Sequence, residues 1–131
     1  MQSLILSHKW INKLIPKHFD AVNLYFVILV RTAFKGDDAL LAHERYHTTQ
    51  VDHHGPMYIW KYYRDADFRL KMEAQAYAVQ VIAGADIDAC AGSLYRNYDL
   101  NIRLSEAKAQ IYMYVINMKL PGVYGLINVA G

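Results

Sequence analysis

The sequence predicts a mostly helical α+β domain with one short sheet. Most of the chain sets apolar residues at helical spacing behind polar or acidic starts, the mark of helices packed on one face. One run, NLYFVILVRT at residues 23–32, is instead dense in β-branched and aromatic residues and too short for a buried helix, so it reads as a strand. The chain has 131 residues, 54% hydrophobic and 20% charged, enough for one buried core and too apolar for disorder. No repeat, low-complexity tract or linker divides it.

Each element has its own warrant. Residues 1–16 read as an N-terminal helix, with Leu4, Ile5, Trp10, Ile11, Leu14 and Ile15 at near-helical spacing before Pro16 stops the pattern. After the strand, Gly36, Asp37 and Asp38 form a turn with a natural N-cap, and a helix is predicted over 38–51. Asp52-His53-His54-Gly55-Pro56 ends it. MYIWKYY at 57–63 leans to helix. Residues 65–82 have strong helix formers, an acidic start and an apolar face at Phe68, Met72, Ala76, Val79 and Ala83. Residues 87–98 predict another helix, interrupted near Gly92, and 105–118 a last one whose buried stripe is Ile111, Tyr112, Val115 and Met118. Residues 120–131 form an uncharged tail.

The helix over 38–51 carries the most informative residues, His43-Glu44-Arg45-Tyr46-His47. Histidines four apart on a helix point the same way and can close on one zinc ion. Glu44, about 100° round the helix, is placed to act on water there without ligating the ion. The plainer alternative is a surface helix with two His and a Glu, but only three Glu occur in the chain, so this one is not background. Strand, short turn and metal-binding helix is the order a cleft needs, with an open strand edge available to an extended peptide.

A catalytic zinc needs a third protein ligand and an open position. Two residues are candidates. His53 completes HERYHTTQVDH, which matches the metzincin pattern HExxHxxGxxH except for Gln50 where Gly permits the sharp turn. Glu73, 26 residues beyond His47 on the next long helix, shares a stripe with Tyr77 and Gln80 and gives a His₂Glu set. The plain alternatives are an exposed Glu73 paired with Arg69, and a solvated loop histidine at position 53.

LLAHERYHTTQ followed by FRLKMEAQAYAVQ resembles the small HExxH proteins of tailed phages and prophages, whose metallopeptidase activity is assigned from the motif. The resemblance covers about residues 23–82. It implies a minimal zincin of the gluzincin type, with a short sheet beside the HExxH helix, His43, His47 and Glu73 as zinc ligands and Glu44 as base. His53 then becomes the alternative third ligand, and Gln50 an expected residue. Gln75 departs from the pattern, standing where such segments often carry a second carboxylate.

The function this predicts is zinc-dependent hydrolysis of a peptide or protein substrate. Glu44 takes a proton from water activated by the ion and passes it to the leaving amine, and Tyr77 is the candidate for stabilising the oxyanion. Asp20, Asp65 and Asp67 are candidates for orienting a ligand histidine. The alternative is a non-catalytic, zinc-stabilised virion or assembly component docking other phage proteins through its uncharged tail. A net charge of +2 without a basic cluster argues against nucleic acid. The longest apolar run, seven residues, argues against membrane insertion. The single Cys90 excludes an internal disulfide. With no signal peptide evident, the expectation is a cytoplasmic protein, with incorporation in a phage particle as the variant the phage context adds.

Overall fold

The sheet is built around a strand with no polar side chain. Val27–Val30 (VILV, β3) has Ile28 and Val30 buried on one face and Leu29 on the other, so both faces need cover. The computed structural model describes residues 3–25 and 27–120, and within them the fold is mostly helical α+β. The sheet order is β1-β3-β2, with Leu4–Leu6 (β1) parallel to β3 and Ala21–Asn23 (β2) antiparallel to it. Ile28, Val30 and Ala21 pack against Leu41 of the first helix, while Leu29 packs on Ile11 and Ile15.

The expected N-terminal helix is therefore not formed. Residues 4–6 pair with β3 in the register Leu4↔Val27, Ile5↔Ile28, Leu6↔Leu29, and only a short 3-10 turn, Ile11–Lys13, follows. Pairing with an otherwise open edge of β3 wins over a weak local periodicity. Trp10 and Leu14, expected on the buried stripe, are 58% and 61% exposed. Of the expected strand over 23–32, only β3 and Asn23, the last residue of β2, are strand, and Tyr25 between them has φ 72. The strand preceding the HExxH helix is thus central, and the sheet's edges are β1 and β2.

Five helices follow, three of them started by an Asp whose carboxylate accepts a backbone N–H. Asp37 caps Asp38–His54 (α1), Asp65 caps Ala66–Ile82 (α3) and Asp86 caps Ile87–Asn97 (α4). Between α1 and α3 lies Met57–Arg64 (α2), and Leu104–Lys119 (α5) comes last. α1 ends at Gly55, whose φ of 77 favours glycine. Gly92 does not interrupt α4.

α3 is the central helix. Seven successive residues, Met72 to Ala78, are buried, so it is covered all round rather than on one face as its pattern predicts. Alanines at 74, 76 and 78, each 0% exposed, let α1, α4 and α5 approach closely. With them pack Leu94 of α4 and Ile111 and Tyr114 of α5. Tyr114, not the expected Tyr112, is on the buried stripe; Tyr112 is 57% exposed. A carboxylate on so central a helix needs a compensating partner, and Glu73 is such a carboxylate. The tail lies outside the described residues from position 121 onward, and no described helix is long and apolar enough to cross a membrane.

Candidate metal centre

α1 and α3 face one another with His43, His47 and Glu73 between them. His43 Nε2 lies 3.1 Å from His47 Nε2, and Glu73 Oε2 lies 3.5 Å from the first and 3.2 Å from the second. Three ligands of a tetrahedral zinc at about 2.0–2.1 Å stand about 3.3–3.4 Å apart, close to this triangle. Among the described residues these are the only three His, Cys, Asp or Glu side chains gathered closely enough to share an ion.

The hydrogen bonds say which nitrogens face the triangle with lone pairs. The Gln50 carboxamide is oriented because its Nε2 donates to Met72 O at 2.9 Å and to Gln75 Oε1 at 3.1 Å. Its Oε1 must then face His47 Nδ1, 2.9 Å away, which makes Nδ1 the donor. The Nε2 lone pair of a neutral His47 therefore points at a carboxylate, which is repulsive unless a proton or a metal ion lies between them. Glu73 Oε2 is buried with no settled hydrogen-bond donor. A cation fits this donor set.

Electrostatics agree. Burial disfavours the Glu73 carboxylate, but His47 and His43 outweigh it and hold the carboxyl well below its usual range. Burial likewise disfavours a charged His47, yet Glu73, then Glu44 and the bond to Gln50, push its pKa up to about 9. Glu44 is buried beside the histidines. Burial raises its carboxyl pKa, His43 and His47 partly oppose this, and Glu73 adds to it.

Two phenols of α2 complete the surroundings. Tyr62 donates to Glu73 Oε1 at 2.5 Å, leaving Oε2 as the oxygen turned to the histidines. Tyr58 donates to Gln50 Oε1 at 3.1 Å and stacks on Tyr62. Asn23 of β2 donates to Glu44 O and to Thr48 Oγ1, tying the edge strand to α1. These partners were not singled out from sequence. The Tyr58/Tyr62 spacing of four was the available signal, because it puts both hydroxyls on one helix face.

Other expected residues fall elsewhere. His53 is exposed, its ring against His54, because α1 continues through residue 54 and carries it about 9 Å further along the axis than His47. With Gln50 helical there is no turn to bring His53 back. Tyr77 packs its ring edge on His43, centroids 4.4 Å apart, but its hydroxyl bonds Tyr98 at 3.0 Å and Ser93, behind the site. It is a wall for His43, whereas Tyr62, in the groove wall, reaches Glu73. Asp65 caps α3 and Asp67 is exposed, whereas Asp20 lies in the wall of a small chamber beside His43. Gln75 is no simple loss of an acid, since it supports Gln50. Arg69 gives its donors to the carbonyls of Tyr62, Tyr63, Tyr98 and Asp99.

A groove of about 1020 Å³ opens over the triangle, with β2 on one side and α2 on the other. From the β2–β3 register, the main-chain groups of Ala21 and Asn23 point away from β3. No known family model, curated protein or solved structure matches this chain.

Proposed function

We propose that this chain is a zinc-dependent hydrolase, a metallopeptidase, in which His43, His47 and Glu73 hold the ion and Glu44 is the general base. The observation that carries this reading is the triangle of ligand atoms, 3.1 to 3.5 Å on a side, in the wall of a large groove with Glu44 beside it. A zinc ion held there supplies Lewis-acid polarisation of a carbonyl and lowers the pKa of water.

The chain's own groups do the rest. Glu44 lines the groove, and burial raises its carboxyl pKa, which suits a base that must later give the proton back. Gln50 keeps Nδ1 of His47 protonated and Nε2 free to ligate. Tyr62 fixes which Glu73 oxygen faces the histidines. The outward main-chain groups of β2 offer an extended peptide the pairing that a sheet edge gives, which favours a peptide over other hydrolysable substrates.

One observation favours a second reading. α2 exposes Met57, Ile59, Trp60 and Tyr63, between 55% and 76% each, with Ile59 and Tyr63 in the groove wall, a surface suited to a protein partner. In that reading the ion holds the shape of a binding or assembly component, such as a virion protein. The resemblance to phage HExxH proteins is compatible with either.

Glu44→Gln separates the two. In the peptidase reading the purified variant keeps its zinc, measured by elemental analysis, and loses peptide hydrolysis by about 10²- to 10⁴-fold. A zinc-replete wild type inactive across a broad peptide library sinks the peptidase and leaves the second reading.

A further inference from the structure

Beside the groove, and sharing His43 and Glu44 with it, lies a smaller chamber of about 60 Å³, walled also by Tyr77, Gln80, Asp20 and Ser93. Two polar atoms of residues that line it are buried without a hydrogen-bond partner, His43 Nδ1 and Gln80 Oε1. His43 is 3% exposed. An unsatisfied donor or acceptor at such depth costs about 1–3 kcal/mol, so two beside one chamber point to a polar occupant. His43 Nε2 faces His47 and Glu73, so with Nε2 given to an ion Nδ1 is the ring's protonated nitrogen and a donor. Gln80 Oε1 is an acceptor. One stands ready for the other.

We propose that this chamber is a water site in which ordered solvent links His43 Nδ1–H to Gln80 Oε1, making Gln80 the positioning residue for His43. The volume is ample, since about 10–15 Å³ suffices for one water, and a bridging water with partners on both sides holds a group nearly as well as a direct bond. The chain places Gln80 suitably. Glu73, Tyr77 and Gln80 follow one stripe of α3, so the helix that supplies Glu73 to the triangle and the Tyr77 ring to His43 also supplies the acceptor one turn further on. The two histidines are thus served by two glutamines, His47 by Gln50 directly and His43 by Gln80 through solvent. Asp20 shares the chamber, but its carboxylate, raised in pKa by burial, is also drawn by Arg31. Gln80 has the atom that lacks a partner.

This inference rests on the metal reading for its consequence and on the chamber for its geometry, so two measurements on the full chain test it. The first is the zinc dissociation constant, by chelator competition. Gln80→Met, of similar length but with no oxygen acceptor, is expected to weaken zinc binding about 10- to 100-fold, as loss of an outer partner of a ligand histidine does. Gln80→Glu keeps an acceptor and is expected to stay near wild type, as is Asp20→Asn. The second is the ¹⁵N spectrum of the His43 ring, expected to show Nδ1 protonated in zinc-loaded wild type and, with or without metal, to change in Gln80→Met. A folded Gln80→Met protein with unchanged zinc affinity and an unchanged His43 spectrum overturns the proposal. So does a loss that follows Asp20→Asn instead, or an equal loss in Gln80→Glu. If wild type binds no zinc the metal reading fails, and the His43 spectrum still decides this one.

Discussion

Glu73 determines whether the paired histidines form a metal site or only a buried polar contact between two helices. Its carboxylate is the sole anionic member of the triangle, and no other described carboxylate comes close enough to replace it. Glu73→Ala is therefore expected to weaken zinc binding by more than about 100-fold, beyond what outer partners contribute, whereas His53→Ala leaves it unchanged. Zinc content after dialysis against a weak chelator reads both. Loss of metal in His53→Ala alone would mean that α1 breaks near Gln50 in solution. At this scale the residues of the candidate site were largely legible: His43, Glu44 and His47 follow from the 3.6-residue repeat of one helix, and Glu73 from its stripe with Tyr77 on another. Their supports were not. Gln50 looked like a missing glycine and Gln75 like a missing acid, yet the two amides bond each other at 3.1 Å across 25 residues of sequence. No local pattern encodes a contact between elements, and the same holds for Tyr62 on Glu73.

At the scale of elements, the edge strand and α1 must keep a fixed relation for the groove to exist, and Asn23 holds it. Its amide reaches Glu44 O and Thr48 Oγ1 on α1, while its Oδ1 accepts from Tyr25 N at 2.6 Å inside the β2–β3 turn. Asn23→Ala removes all three and is expected to cost about 1–3 kcal/mol in urea unfolding. If peptides dock on β2, the variant should also raise KM more than it lowers kcat. A loss of stability with unchanged KM would place peptide binding elsewhere. The helices were legible to within a few residues because acidic caps, Gly55 and the apolar spacing agree with one another. The N-terminal segment was misread for a physical reason. A three-residue strand such as Leu4–Leu6 has almost no signal of its own, and it exists because β3 offers it a parallel edge.

For the whole molecule, a metal held at this centre would couple folding to pH, because the centre joins α1 to the central helix α3 and an ion there would link two parts of the core. In the metal-free protein the pKa of His47 is raised from 6.5 to about 9, despite its burial, chiefly by Glu73. The sign follows. The folded state binds this proton more tightly than the unfolded one, so the His47 contribution to stability is fully present below pH 6.5 and is lost as pH rises through about 9. Zinc needs the neutral imidazole and displaces that proton, so its apparent affinity should rise about tenfold per pH unit across this window. Bound ion stabilises the fold by RT ln(1 + [Zn]/Kd), about 1.4 kcal/mol more for each tenfold gain in affinity. The Tm of the chelator-treated protein should therefore fall from pH 6.5 towards 9, while the gap between zinc-loaded and chelator-treated samples widens. Calorimetric melts in paired buffers measure both, and zinc titrations in buffers of different ionisation enthalpy should report about one proton released per ion at pH 7. A gap that stays constant with pH, with no proton released, would mean that zinc binds somewhere other than between His47 and Glu73.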